Sequence, residues 1–149
     1  MSDQPTDPAD FCVFCAILSG ELPTNYVYQD NVVVSIMDIN PVTPGHLLVL
    51  PRKHLPDLVD LDDATAARMM NVARRMAEGL RASDENVKGI NLYLADGPDA
   101  GQEVAHAHLH VVPRYADDGF GLRVTRGPVP TREELEAAAA GIVSAIQPS

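Results

Sequence analysis

Residues 106–112 read His-Ala-His-Leu-His-Val-Val, a strict alternation of imidazole and apolar side chain that ends in a second valine. A period of two suits a half-buried strand, because successive side chains on a strand point to opposite faces. A helix would scatter the same residues around its axis. The reading puts His106, His108 and His110 on one face, with Ala107, Leu109 and Val111 entering an apolar layer on the other. Three of the chain's five histidines stand in this stripe. Each ring brings two nitrogens that need partners, so a row of them marks a site more readily than it marks packing. Three uses compete: metal ligation, a nucleophile with a neighbour that stabilises developing charge, and a plain solvated face.

The remaining pattern predicts an α+β domain with a mainly antiparallel five-stranded sheet, one long helix and a C-terminal helix. Residues 26–29 and 32–37 are β-rich runs separated by Asp30-Asn31, a hairpin signal. After the loop Asn40-Pro41-Val42-Thr43-Pro44-Gly45, a strand resumes over 46–50. Met69, Val72, Met76 and Leu80 recur at helical spacing within 62–81. Strands follow at 89–95 and 106–114, joined by the loop 96–103. Thr131 and Glu134 form a capping box for an Ala-rich helix over about 131–146. Residues 11–18 read as a short helix or turn, and 1–10 as a flexible tail before a single domain spanning 11–149.

Composition excludes several classes. A formal net charge of −10 argues against a general nucleic-acid surface. No apolar run approaches a membrane span, and the start MSDQPTDPAD lacks the basic region of a secretory signal, so a cytoplasmic location is expected. Two cysteines in such a compartment are thiols or metal ligands rather than a disulfide. Cys12 and Cys15 have the spacing that lets two thiolates share one zinc, although two small buried thiols would serve packing equally. Between the last two strands, Gly101 permits close backbone approach, and exposed N–H groups of such a loop can hold phosphate oxygens. Gln102 can donate to a phosphate or bridging oxygen.

The stretch GQEVAHAHLHVVPR resembles the histidine triad (HIT) signature, and the similarity extends to MDINPVTPGHLLVLPRKH at 37–54 and FCVFCAILSGELP at 11–23. The loop DGPDAGQ is similar to the fragile-histidine-triad branch, whereas MDINPVTPGH fits the Hint branch equally well. The resemblance implies a hydrolase or transferase acting at the α-phosphate of purine nucleotide conjugates: phosphoramidates, adenylates or dinucleoside polyphosphates. His108 then matches the nucleophile, His110 the group that steadies the phosphate, and Gln102 a further catalytic contact. Phe14, Ile17 and Leu22 match the enclosure of the base, Asp38 with Ile39 the ribose contact, and Gly101 and Val104 further nucleotide contacts. The same apolar residues would serve as core, and Asp38 as a turn residue.

In zinc-containing bacterial relatives a Cys-x-x-Cys pair joins two histidines. The resemblance thus assigns Cys12, Cys15, His54 and His106 to a structural zinc, with His46 the runner-up ligand or a residue that positions the strand. Arg52 and Lys53 read as a solvated basic turn. A homodimer is implied in the same way. Two residues depart from the pattern: Glu103 replaces a serine or threonine near the leaving group, and Ala95 replaces a polar residue. The competing classes are a nucleotide-binding regulatory module with little turnover, and metal-dependent hydrolysis with zinc on the triad.

Overall fold

The computed structural model describes residues 11–121 and 124–146, so the tail expected at 1–10 lies outside the described residues. These fall into two compact units, one running to Gly119 and the other beginning at Phe120. The first unit holds α1 (Val13–Leu18), β1 (Tyr26–Gln29), β2 (Val33–Met37), β3 (Leu47–Pro51), α2 (Asp63–Ser83), β4 (Gly89–Tyr93) and β5 (Leu109–Arg114). The strands form one antiparallel sheet in the order β1-β2-β3-β5-β4. The α+β architecture with five antiparallel strands and a long helix is as expected. Among the described residues no helix is long and apolar enough to cross a membrane.

Both faces of the sheet are covered, and alternation decides what covers each. Val33, Leu47, Val49, Leu109 and Val111 face α2, which packs against them with Met69, Val72 and Ala73. Asp62 caps this helix by accepting from the Thr65 N–H at 2.7 Å. On the other face Val34, Ile36, Leu48 and Leu50 pack against Phe14 of α1. Leu48 stands directly opposite His110 in the β3–β5 ladder, so His110 rises on the α1 side. The short helix is therefore the lid of the layer that carries the histidines.

One expectation is corrected. β5 begins at Leu109, so His106 and His108 precede the strand. The reason is a competition for carbonyls. Extending the β3–β5 ladder would use the main-chain groups of Pro51 and residues 106–108, but proline has no N–H to give. The Pro51 carbonyl accepts from His106 Nε2 at 2.8 Å, and the His106 carbonyl accepts from His108 Nδ1 at 2.7 Å. The Ala107 N–H, which the register would set opposite Pro51, donates instead to the Leu55 carbonyl at 2.8 Å, so the next rung does not form.

The second unit contains α3 (Arg132–Ala145). The expected capping box is present: the Glu134 N–H donates to Thr131 Oγ1 at 3.1 Å, and the Thr131 N–H to Glu134 Oε2 at 2.7 Å. No residue of this helix is buried.

Candidate active site and metal centre

Each histidine has one nitrogen committed to a fixed partner, which decides what the other nitrogen can do. A carbonyl only accepts, so the His108 Nδ1 that faces the His106 carbonyl carries the proton. The neutral ring then keeps its lone pair on Nε2. The same logic puts the His106 proton on Nε2, facing the Pro51 carbonyl, and leaves Nδ1 free to ligate.

His110 is set by a longer chain. The Val42 N–H donates to His46 Nδ1 at 3.0 Å, so a neutral His46 carries its proton on Nε2. That nitrogen lies 2.9 Å from His110 Nδ1 and 3.5 Å from Asp38 Oδ2. His110 therefore accepts on Nδ1 and presents Nε2–H outward. Burial, reinforced by neighbouring His108 and His46 and opposed by Asp38, pushes His110 down to about 4. Burial likewise lowers His46, again against Asp38. The pair is neutral at cellular pH and its tautomers are ordered by the Val42 amide.

Asp38, His46 and His110 bring three potential ligand atoms within 4.8 Å of one another. The hydrogen bonds argue against a cation there. His46 could ligate through Nε2 only after losing the proton that Val42 obliges it to keep there. The cluster is a proton-ordering pair with a carboxylate beside it. His46 does not converge with Cys12 and Cys15, and its hydrogen bonds instead run to the Val42 amide and to His110.

Aromatic contacts hold the rings in place. Tyr93 is paired with His110 across β4 and β5 and stacks on it, with centroids 4.2 Å apart and planes 13° apart. His108 lies 4.9 Å from His110, and the Phe14 ring meets His108 edge-on at 5.0 Å and His106 at 5.7 Å. The Tyr93 hydroxyl is raised by burial and by the charges of Asp38 and Glu103. Sequence reading missed Tyr93, because a strand's partner and register are not visible in its own residues.

Cys12, Cys15, His54 and His106 do converge, each with a donor atom within 4.8 Å of the others. His106 Nδ1 lies 3.6 Å from Cys12 Sγ and 3.7 Å from Cys15 Sγ, and His54 Nδ1 is 3.3 Å from Cys15 Sγ. The Cys15 N–H points at Cys12 Sγ at 3.4 Å, so the first thiol also caps α1. Burial and the adjacent Cys12 push the Cys15 thiol up to about 11. Two sulfurs and two imidazoles, each with Nδ1 turned toward the sulfurs, make a donor set that suits tetrahedral zinc.

The loop before the triad behaves differently from its sequence reading. Gln102 Nε2 donates to the carbonyls of Pro56 and Val104 at 2.9 and 3.0 Å, and its Oε1 accepts from the Gly97 N–H at 2.8 Å. Its amide is spent closing the loop, not turned toward a phosphate. The N–H groups of Ala100, Gly101 and Gln102 likewise bond within the loop, so they do not form an open cradle. Gly101 is needed for its backbone, at φ +88°.

The expected base and ribose residues are dispersed in burial. Phe14 is buried, and Ile17 and Val104 pack with it against the same apolar cluster. Leu22 is exposed, Asp38 sits beside His46, and Ile39 is 86% exposed.

A family model described as HIT domain matches residues 19–117. A crystal structure of a HIT family member from Bacillus subtilis superposes with a TM-score of 0.86 at 33% identity, covering 94% of this chain and 100% of that one. A Zn-bound histidine triad family protein from Mycobacterium smegmatis is 43% identical, with a TM-score of 0.71 over 91% of this chain and 97% of that one. Adenylylsulfatase HINT3 of Arabidopsis thaliana is 33% identical over 72% of this chain, which spans 54% of that protein's length. The triad, the fold that carries it and these matches agree: the chain belongs to the HIT family.

Proposed function

We propose that the chain is a nucleotide hydrolase or nucleotidyltransferase that cleaves purine nucleotide conjugates at the α-phosphate through a nucleotidyl-histidine on His108. One observation carries the reading: the His108 Nδ1–H donates to the His106 carbonyl at 2.7 Å, so Nε2 holds the attacking lone pair. A bond forms from Nε2 to the α-phosphorus while the bond to the leaving group breaks, and its electron pair departs with that group. Water then cleaves the nitrogen–phosphorus bond, releasing the nucleoside monophosphate and restoring the imidazole. Neutral His110 donates from Nε2 to a phosphate oxygen, a contact that strengthens as charge moves onto it. Activity named for the Arabidopsis relative, adenylylsulfatase, is of this kind.

Phe14, Ile17 and Leu22 are assigned to the base, Asp38 and Ile39 to the ribose, with Gly101 and Val104 bordering the nucleotide. Gln102 supports the site by holding its loop closed. Cys12, Cys15, His54 and His106 would hold a zinc ion with four protein ligands and no open position, which makes its contribution structural. Both cysteines are free thiols, as a reducing cytoplasm would keep them. A homodimer completes the reading, supported by the exposed apolar residues Leu135, Ile142, Val143 and Ile146.

The test is a trapped intermediate. Protein quenched during reaction with adenosine 5′-phosphoramidate and mapped by mass spectrometry should carry an adenylyl group on His108, absent from His108→Asn. Tight nucleotide binding without adduct or turnover would instead make the chain a binding module.

A further inference from the structure

The loop between β2 and β3 carries the amide that orders the histidine pair, and two tethers hold it. Thr43-Pro44-Gly45-His46 is a tight turn: the His46 N–H donates to the Thr43 carbonyl at 3.2 Å, with proline second and a glycine at φ +91° third. That glycine keeps β3 from starting earlier. The register that sets Leu47 opposite Val111 would set Gly45 opposite Pro113, but the chain is still turning there. The Pro113 carbonyl accepts instead from Thr43 Oγ1 at 2.6 Å, a buried hydrogen bond across 70 residues of sequence. The next residue is tied as well, because the Tyr115 hydroxyl donates to the Pro44 carbonyl at 2.7 Å.

Packing does not replace these tethers. A cavity of about 410 Å³ borders the loop, with Val42, Thr43, Pro44 and Tyr115 in its lining. Thr43 itself is 4% exposed, so a hydroxyl that lost Pro113 would have little water to turn to. Val42 immediately precedes it, and the Val42 N–H donates to His46 Nδ1 at 3.0 Å. A hydrogen bond weakens steeply as its donor swings off line. Where Thr43 is held thus decides where the Val42 amide points.

We propose that Thr43 is a positioning residue of the catalytic centre: its hydroxyl, anchored on β5, aims the Val42 amide at His46 and through it keeps the proton of His110 on Nε2. The contacts run from the Pro113 carbonyl to the Thr43 hydroxyl, the Val42 amide, His46 and His110. Both ends of this series lie on β5, which holds His110 and Pro113. The strand that carries the ring therefore also holds the loop that sets its tautomer. That His110 serves catalysis rests on the nucleotidyl-transfer reading above; that Thr43 governs its tautomer does not.

Imidazole nitrogen resonances of the ligand-free protein, with kinetics on adenosine 5′-phosphoramidate, provide the test. In Thr43→Val, which keeps the shape and loses the hydroxyl, His110 should exchange its single tautomer for a mixture. There kcat should fall about fivefold with KM within about twofold. Thr43→Ser should recover both, a rescue that loss of buried packing alone would not give. Tyr115→Phe removes the second tether from a half-buried side chain and should move tautomer and kcat the same way by less, so a poorly folded Thr43→Val does not end the test. The double variant is the sharpest comparison: added to His46→Asn, Thr43→Val should cost no further kcat, because the link it acts through is gone. An equal loss in that background, or an unchanged His110 tautomer in Thr43→Val and Tyr115→Phe, overturns the proposal. Absent turnover of the conjugate would defeat the nucleotidyl-transfer reading, while the resonances would still decide the role of Thr43.

Discussion

The Val42 amide nitrogen lies 3.0 Å from His46 Nδ1, and the consequence is felt one imidazole further on, where His110 must present an N–H rather than a lone pair on its outer nitrogen. His46→Asn should therefore lower kcat by at least about tenfold while zinc content and KM change little, because orientation and not ligation is lost. Imidazole nitrogen resonances check the cause directly: His110 should be protonated on Nε2 in wild type and lose that preference in the variant. Unchanged tautomers with lost activity would refute the relay. The residue scale is also where sequence reading was weakest. The triad's period of two was plain, and so was the cysteine pair. That Gln102 closes its own loop, or that Tyr93 stacks on His110, depends on loop path and strand register, which are set by partners far along the chain.

At the scale of elements, α1 is a short helix held at its start by a thiol. Cys12 caps it, Phe14 projects from its first turn onto His108, and the proposed zinc would join it to residue 54 and to the approach to β5. Six residues of helix are too few to persist without tertiary support. Chelation, or Cys12→Ser, should lower the melting temperature by about 10 °C or more, yet leave turnover of the folded fraction within several-fold. Thermal melts run beside metal analysis and kinetics measure both quantities. Abolished chemistry with an intact fold would place the metal in the reaction instead. The elements themselves were largely readable: α2 from its apolar spacing, the hairpin from Asp30-Asn31, α3 from its capping box. What failed was continuing β5 back to His106, because Pro51 has no N–H to give, its carbonyl is taken by the His106 ring, and the Ala107 N–H is bonded to Leu55.

Across the whole molecule, buried neutral imidazoles tie stability to pH. His110 is lowered from 6.5 to about 4, and His46 is lowered as well, so an unfolded chain binds more protons than the folded one between those values. Stability should be greatest above pH 6.5 and decline as pH falls toward 4. Melting temperatures across this range will show it, and the slope should flatten in His110→Asn. The proposed homodimer makes a second prediction at this scale. Ile142→Asp should convert a dimer to a monomer in analytical ultracentrifugation, with helical content retained because Ile142 is 63% exposed in the single chain. A wild-type monomer would remove the dimer from the functional reading.

The partners that orient the histidines have an evolutionary side. Val42 contributes an amide hydrogen, Pro51 and His106 contribute carbonyls, and every one of these belongs to the main chain. No codon change abolishes a carbonyl, and only a proline removes an amide hydrogen. The orientation of the rings is thereby tied to the path of the chain rather than to the identity of the side chains surrounding them. Side chains around the triad can therefore change without removing the partners that orient its rings.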